Sequence, residues 1–244
     1  MTMPPPSPAT VAEFAPSGRL RAAINFGNSV LARRDPATGQ PAGISTDIAR
    51  ELARRLDVPF QCVPYEQAGQ VVEGIKSAAW DVCFLAIDPL RATDIAFTAA
   101  YLVIEGVYMV ATDAAIGGND DVDREGMRVG VIAGSAYDLF LTRELKRATI
   151  VRAADAGPVM ELWVAGKLDA VAGVKPQLEA DAKRVGGLRL LPRRFMAINQ
   201  AMGTPRSRET GARYLRAFID DLKATGFVAQ AFARNRIDGA ALAP

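Results

Sequence analysis

Residues 128–172 read RVGVIAGSAYDLFLTRELKRATIVRAADAGPVMELWVAGKLDAVA. Short apolar segments alternate here with longer segments of mixed polarity. We therefore predict strands and helices in turn, at 128–133, about 136–147, 149–152, about 157–166 and 168–172. Strands that alternate with helices at this pace are typical of βαβ units and of mostly parallel sheets. This part of the chain predicts an α/β fold.

The same alternation continues on both sides of this stretch. Towards the N-terminus, Ile48, Leu52 and Leu56 recur every four residues and predict the buried face of a helix. We expect Ser45 or Thr46 to cap this helix at its start. The other predicted strands lie at 20–25, 59–64, 81–87 and 188–191, and the other helices at about 69–78, 176–185, 207–225 and 227–236.

The alternating elements form two sets, each smaller than a usual doubly wound domain, so we predict two lobes. Extended runs at 101–111 and 195–202 bracket the second set, as two strands that cross between lobes would. Lobe 1 would then comprise residues 18–105 and 198–244, and lobe 2 residues 106–197. Ligands of open α/β sheets bind at the carboxyl ends of strands, so we expect the functional site in the cleft between lobes.

Composition and charge exclude several classes of function. Of the 244 residues, 29 are Lys or Arg and 27 are Asp or Glu, so a net charge of +2 gives no indication of nucleic-acid binding. The chain has no histidine, which excludes His-dependent nucleophilic catalysis and His-containing metal sites. Cys62 and Cys83 cannot form a structural zinc site, and we interpret them as small buried hydrophobic residues. We expect no metal and no cofactor.

The N-terminal segment is rich in proline. Residues 1–17 begin MTMPPPSPAT and lack both the basic and the apolar region of a secretory signal, so we predict a flexible tail. If Met1 is the native start, the segment predicts a cytoplasmic protein. A start further upstream that adds a signal would predict an exported one.

Several short motifs follow one another in a recognisable order. They are Gly18–Asn25, Gly43–Leu52, Trp80-Asp81, Pro89–Arg91 followed by Phe97-Thr98 and Tyr101, Gly130–Ser135, and Leu168–Val171. With this order and spacing the chain resembles, over residues 18–235, the family 3 extracellular solute-binding proteins of polar amino-acid ABC importers. The resemblance implies an α/β, two-lobed type II periplasmic-binding fold with two crossing hinge strands.

The resemblance also implies a function. Family members are periplasmic receptors that close over a small solute in the interlobe cleft and deliver it to an ABC transporter permease, without catalysis or a cofactor. We expect a monomer that binds an amino acid or a related carboxylate. In the family, an arginine shortly before a Phe-Ser/Thr-x-x-Tyr turn holds the α-carboxylate, and Arg91 has this place. A guanidinium is always charged and can hold a carboxylate through two hydrogen bonds, although Arg91 could also be a surface arginine that caps a helix.

Other candidates follow predicted strands. A helix N-terminus has free N–H groups that bind anions, and Ser135 begins such a helix as ligand donor, as N-cap or as both. Phe26 fits either a ligand contact or the core, and Tyr65 is expected to form an apolar wall with its hydroxyl at the solute. The remaining candidates are Gly134, Ala136 and Tyr137 beside Ser135, and Asn25 and Asn28, which suit turns equally well.

Two departures from the family pattern concern the solute. Family members carry Thr-x-Thr before the arginine, and residues 85–90 contain no threonine. They also place an aspartate for the solute ammonium after the strand that matches Leu168–Val171, and the matching stretch here, Ala172–Lys175, has no carboxylate but adds Lys175 as a second cation. Because an unpaired buried ammonium is costly, we expect a carboxylate solute without a free amine, or one whose amine meets Asp88 or Glu105.

Two other functions remain open on the sequence. A cyclohexadienyl-dehydratase-like enzyme on the same fold would use Arg91 for the substrate carboxylate and Glu105 as a general acid, which requires a raised pKa. Glu105 interrupts an apolar strand, and its position fits an exposed crossing strand as well as a cleft carboxylate. The other function is a cytoplasmic ligand-sensing module, which fits the absence of a secretory signal.

Overall fold

The computed structural model describes residues 3–244, which form two compact units. Unit 1 consists of the described residues up to Val103 together with Asn199–Pro244, and unit 2 is Ile104–Ile198. Within residues 3–244, none of the helices is both long and apolar enough to cross a membrane.

Helices and strands alternate along most of the chain. In order they are α1 (Pro8–Phe14), β1 (Leu20–Asn25), β2 (Arg33–Arg34), β3 (Pro41–Ala42), α2 (Ile44–Leu56), β4 (Phe60–Tyr65), α3 (Ala68–Glu73), β5 (Val82–Ala86), β6 (Ile95–Ala111), β7 (Arg128–Ile132), α4 (Ala136–Glu144), β8 (Thr149–Ala153), α5 (Ala156–Val164), β9 (Ala170–Val174), α6 (Lys175–Val185), β10 (Leu188–Leu190), β11 (Met196–Pro205), α7 (Glu209–Ala224), α8 (Phe227–Arg234) and β12 (Ala240–Leu242). The predicted α/β class is confirmed.

Each unit has a sheet with a parallel part and an antiparallel part. In unit 1 the strand order is β4-β1-β5-β11-β6; β1 is parallel to both neighbours, and β11 is antiparallel to β5. In unit 2 the order is β6-β9-β7-β8; β7 is parallel to both neighbours, and β6 is antiparallel to β9. The carboxyl ends of the parallel strands therefore meet at one edge of the sheet in each unit.

An Arg–Asp ion pair of the same kind joins two parallel strands at their starts in each unit. In unit 1, Arg21 on β1 donates through Nε and Nη2 to the carboxylate of Asp81, at 3.0 and 2.8 Å. In unit 2, Arg128 on β7 donates to Asp169 through Nε and Nη2, at 2.9 Å for each bond. The backbone N–H of each arginine also donates to the same carboxylate. Each pair fixes the register of two parallel strands.

The start of α2 differs from the prediction. The helix begins at Ile44, after Gly43, and both predicted caps, Ser45 and Thr46, lie buried inside it. Gly43 has φ of 113°, and a Cβ there would lie 2.5 Å from the carbonyl oxygen of Leu31. Close approach of another backbone segment requires glycine and sets the start of the helix. The predicted buried face of Ile48, Leu52 and Leu56 is confirmed.

The flexible tail predicted for residues 1–17 is wrong for its second half. Ser7 accepts a hydrogen bond from the Thr10 N–H and Pro8 occupies the first turn, so this polar, proline-rich segment contains a helix start signal. The resulting helix α1 packs against α7, with Phe14 buried and its ring edge-on to Tyr214. Residues 1–2 of the predicted tail lie outside the described residues.

Candidate functional site

The candidates of unit 1 lie at the carboxyl edge of its parallel strands. Asn25 ends β1 and pairs in register with Tyr65, which ends β4. The next residue, Phe26, donates its backbone N–H to the Tyr65 carbonyl oxygen at 2.8 Å. Arg91 follows β5, the other parallel neighbour of β1. The fold therefore brings candidates that are far apart in sequence to one edge of a sheet.

Arg91 is a buried cation. Its side chain is fixed by a hydrogen bond from Nη1 to the carbonyl oxygen of Ala86, at 3.1 Å, and the residue is only 3 % exposed. Burial lowers the pKa of the Arg91 guanidinium, and the nearby charge of Asp88 opposes this shift. Because an arginine stays protonated in proteins, the end of β5 carries a fixed positive charge. Asp88 is itself buried, and its Oδ1 accepts the Leu90 N–H at 2.9 Å.

The loop after β1 is tightly folded. Asn25 Oδ1 accepts the Gly27 N–H at 3.1 Å, and Asn28 Oδ1 accepts the Val30 N–H at 3.3 Å. Both asparagines thus act in turns, which was one of their two predicted roles. A Cβ on Gly27 would collide with the carbonyl oxygen of Glu66, so the loops after β1 and β4 are in direct contact.

The Phe26 ring is covered by the side chain of Arg34. The Cζ atom of Arg34 lies 4.1 Å from the centroid of the Phe26 ring. Arg34 Nη2 also lies 2.8 Å from Oε1 of Glu66, the residue after β4. Neither Arg34 nor Glu66 was predicted as a site residue, because only the tertiary structure places them beside Phe26.

Tyr65 differs from its predicted role. Its side chain packs on the core cluster that contains Trp80, and burial raises the pKa of its hydroxyl. An ideal Cβ on Gly74 would lie 2.5 Å from the Tyr65 Oη. Because Gly74 has no side chain, there is space beside it, and the Tyr65 hydroxyl points into this space within unit 1.

In unit 2, Gly134 and Ser135 precede α4. Ser135 is the N-cap, and its Oγ accepts the Asp138 N–H at 3.1 Å. The Gly134 N–H donates to Asp138 Oδ2 at 2.8 Å, and Arg152 Nε donates to Asp138 Oδ1 at 2.9 Å. The anion at this helix N-terminus is therefore the carboxylate of Asp138, a residue the sequence analysis did not select. The other two candidates, Ala136 and Tyr137, form the first turn, where burial raises the pKa of the Tyr137 hydroxyl.

Lys175 and Glu105 form an ion pair in unit 2. Lys175 Nζ lies 3.0 Å from Glu105 Oε2, and this hydrogen bond raises the pKa of the Lys175 ammonium. Arg194 Nη1 lies 3.8 Å from the other carboxylate oxygen, and the Glu105 side chain is 39 % exposed. Glu105 is thus the shared counter-ion of two cations. The sequence predicted Lys175 as a cation but gave no sign of the contact with Glu105, which is 70 residues away.

A shallow groove of about 460 Å³ lies between α5 and α6 of unit 2, lined among others by Met160, Val164 and Val185, and none of the candidates borders it. Over residues 3–244 there is no cluster of three His, Cys, Asp or Glu side chains that could hold a metal ion.

One protein family matches most of the chain. The family model described as bacterial extracellular solute-binding proteins, family 3, matches residues 32–235. Among proteins with curated descriptions, none matches the sequence.

Solved structures match nearly the full length. A mutant of ArgBP from T. maritima has a TM-score of 0.77 and 18 % identity, over 94 % of this chain and 100 % of its own. The cysteine-binding protein from Campylobacter jejuni has a TM-score of 0.77 and 16 % identity, over 93 % and 92 %. An ancestral amino acid-binding protein, a precursor of cyclohexadienyl dehydratase, has a TM-score of 0.75 and 19 % identity, over 92 % and 98 %. These similarities confirm the predicted two-lobed type II periplasmic-binding fold.

Proposed function

Because the chain belongs to the bacterial extracellular solute-binding proteins, family 3, we propose that it is the solute receptor of an ABC-type importer. Its solute is a small carboxylate, it acts outside the cytoplasmic membrane, and its protein partner is the permease of the importer. The similar structures support a solute with a carboxylate, since two of those proteins are described as a cysteine-binding and an amino acid-binding protein, and amino acids carry a carboxylate.

The observation that carries the proposal is the buried guanidinium of Arg91. A cation held by Ala86 at the end of β5 is shielded from bulk solvent and keeps its charge. An anionic group that reaches it gains a charge-assisted hydrogen bond in an environment of low polarity. The carboxylate of the solute is the group that we assign to this place.

The solute that fits these charges best is one without a free amine. An ammonium group needs a carboxylate partner, and the stretch that matches the aspartate-bearing segment of the family, Ala172–Lys175, contains Lys175 and no carboxylate. The two carboxylates that could replace it already serve other cations: Asp88 lies close to Arg91, and Glu105 is paired with Lys175 and Arg194. A keto acid, a hydroxy acid or a dicarboxylate is therefore favoured over an ordinary α-amino acid.

The charges around Glu105 also favour binding over catalysis. The dehydratase alternative requires Glu105 to be buried and to donate a proton. Instead Glu105 is partly exposed and serves as the counter-ion of two cations. We propose no catalytic step for this protein.

A thermal-shift screen followed by calorimetry tests the proposal. The screen covers amino acids, keto acids, hydroxy acids and dicarboxylates, since any ligand of the folded state raises the melting temperature. For the best solute, Arg91→Lys keeps the charge but loses the planar pair of donors, and we expect affinity to fall by about 2 kcal/mol, roughly thirtyfold. Arg216→Gln, an exposed change on α7, is the matched control and should leave affinity unchanged. Failure of every carboxylate to bind the wild type, or full affinity in Arg91→Lys, would contradict the proposal.

A further inference from the structure

We propose that Phe26 and Glu66 form a guanidinium-binding surface and that Arg34 of the same chain occupies it. In this role Arg34 selects against solutes that carry a cationic end. The occupied surface is a property of unit 1 alone, whereas the selection of solutes rests on the proposed function.

The three side chains have the geometry of guanidinium recognition. The Arg34 guanidinium lies over the face of the Phe26 ring, 4.1 Å from Cζ to the centroid, and one of its terminal nitrogens lies 2.8 Å from the Glu66 carboxylate. An aromatic face attracts a cation through its quadrupole, and a carboxylate binds the edge of the planar guanidinium. A ring and a carboxylate placed together in this way would receive any guanidinium of suitable shape.

The backbone contacts that hold Phe26 and Glu66 next to each other do not involve Arg34. Phe26 is fixed by the hydrogen bond of its backbone to the Tyr65 carbonyl, and Glu66 follows Tyr65 directly. Gly27 packs against the Glu66 carbonyl, so the two loops hold Phe26 and Glu66 next to each other. Arg34 enters from a different element, the short β2 strand that pairs with β3. We therefore expect that replacement of Arg34 removes the cation from the surface and leaves Phe26 and Glu66 in place.

Arg34 is placed to compete with molecules from solution. Its side chain is 52 % exposed and that of Glu66 is 64 % exposed, so an external guanidinium can reach the pair. An exposed ion pair and an exposed cation–π contact are each weak, but a tethered group has a high effective concentration. We therefore expect selection of about tenfold rather than complete exclusion.

The surface lies where it can act on the solute. Phe26 follows β1 and Arg91 follows β5, and these two strands are parallel neighbours. Both residues are thus at the carboxyl edge of the unit 1 sheet. When the carboxylate of a solute contacts Arg91, the rest of the solute lies at the same edge of the sheet as the Phe26 ring. The face of this ring is already covered by the Arg34 guanidinium.

Titration with ethylguanidinium tests the surface without any carboxylate. The amide signal of Gly27 in the ¹⁵N-labelled protein reports binding, and the variants are Arg34→Ala, Arg33→Ala and Arg34→Ala/Glu66→Gln. Arg33 is the matched control, because it is the neighbouring arginine of β2 and contacts Asn235 instead. We expect Arg34→Ala to saturate at concentrations about tenfold lower than the wild type and Arg33→Ala, and the double variant to lose this gain. Equal midpoints in wild type and Arg34→Ala, or a gain that survives Glu66→Gln, would overturn the assignment.

Calorimetry with L-arginine tests the selection. We expect about tenfold tighter binding by Arg34→Ala than by the wild type, with no change for Arg33→Ala. If arginine affinity does not change, Arg34 does not select the solute. If ethylguanidinium follows the expected pattern while no carboxylate binds the wild type, the proposed function fails and the guanidinium surface stands.

Discussion

Charged side chains at the candidate site are already engaged with groups of their own unit. Arg91 donates to Ala86, Glu105 accepts from Lys175, and Asp138 holds the N-terminus of α4. Such contacts hold long side chains in place before a solute arrives, which lowers the entropy cost of binding. At the scale of single residues, the proposed solute class therefore follows from which charged side chains already have a counter-ion or a hydrogen-bond partner.

The proposed preference against amines depends on Lys175. Lys175→Asp places a carboxylate in the stretch for which the resemblance implies one and removes the cation beside Glu105. We expect the affinity ratio between an α-amino acid and the keto acid of the same shape to shift about tenfold towards the amino acid, because the ammonium gains a partner. Calorimetry measures the ratio. Lys183→Asp, an exposed change of the same kind on α6, is the control, and an equal shift there would contradict the role of Lys175.

Asp169 is expected to make stability depend on pH. Hydrogen bonds from Arg128 hold the pKa of the Asp169 carboxyl below its usual range. The folded state thus favours the charged form of Asp169. Its contribution to stability is therefore complete above its pKa in the unfolded chain, about 4, and is lost as the pH falls through its lower pKa in the folded protein. In urea unfolding at pH 7, the free energy of unfolding of the wild type should exceed that of Asp169→Asn. This difference should shrink towards pH 3. A difference that grows at acid pH would contradict this account, and Asp120→Asn on the exposed surface should show none.

At the scale of elements, the two Arg–Asp ion pairs join parallel strands in the same way but differ in how deeply they are buried. Asp81 is fully buried and also bonds Arg208 at 2.9 Å, whereas the side chain of Asp169 is 33 % exposed. Removal of a buried charge from its partners is far more costly than loss of an exposed pair.

We expect Asp81→Asn to lower the free energy of unfolding by about 3–5 kcal/mol and Asp169→Asn by about 1 kcal/mol. Urea denaturation of the two variants gives the comparison. Equal losses in the free energy of unfolding would show that burial does not determine how much each ion pair contributes to stability.

The elements could largely be predicted because their periodicity is local. Ile48, Leu52 and Leu56 identify the buried face of α2 from sequence alone, and this face is confirmed. The start of the same helix depends on how closely Gly43 approaches Leu31, a tertiary contact. For α1, the proline-rich composition concealed a capping signal, and the burial of Phe14 against α7 was not visible in the sequence.

The site could be predicted only in part, for a related reason. The carboxyl ends of strands predict where Phe26 and Arg91 lie, and resemblance to the family selects the arginine. The partners of such residues come from distant parts of the chain, as Glu66 and Arg34 do for Phe26. The direction of a side chain is equally hidden: the Tyr65 hydroxyl points towards Gly74 because glycine leaves space there.

At the scale of the whole molecule, the expected response to a solute is a conformational one. The sequence predicts closure about the extended segments 101–111 and 195–202, and a ligand shifts such an equilibrium only if it binds one state better than the other. We expect small-angle scattering to show a smaller radius of gyration at saturation with solute. Arg91→Lys at the same solute concentration is the control, and identical curves for the wild type with and without saturating solute would rule out closure.

The most direct test of the central claim is a crystal structure with the best carboxylate solute of the screen. The account predicts that the carboxylate of the solute accepts hydrogen bonds from the Arg91 guanidinium at about 2.7–2.9 Å. A well-ordered solute bound elsewhere, with Arg91 in contact only with its own unit, would contradict it.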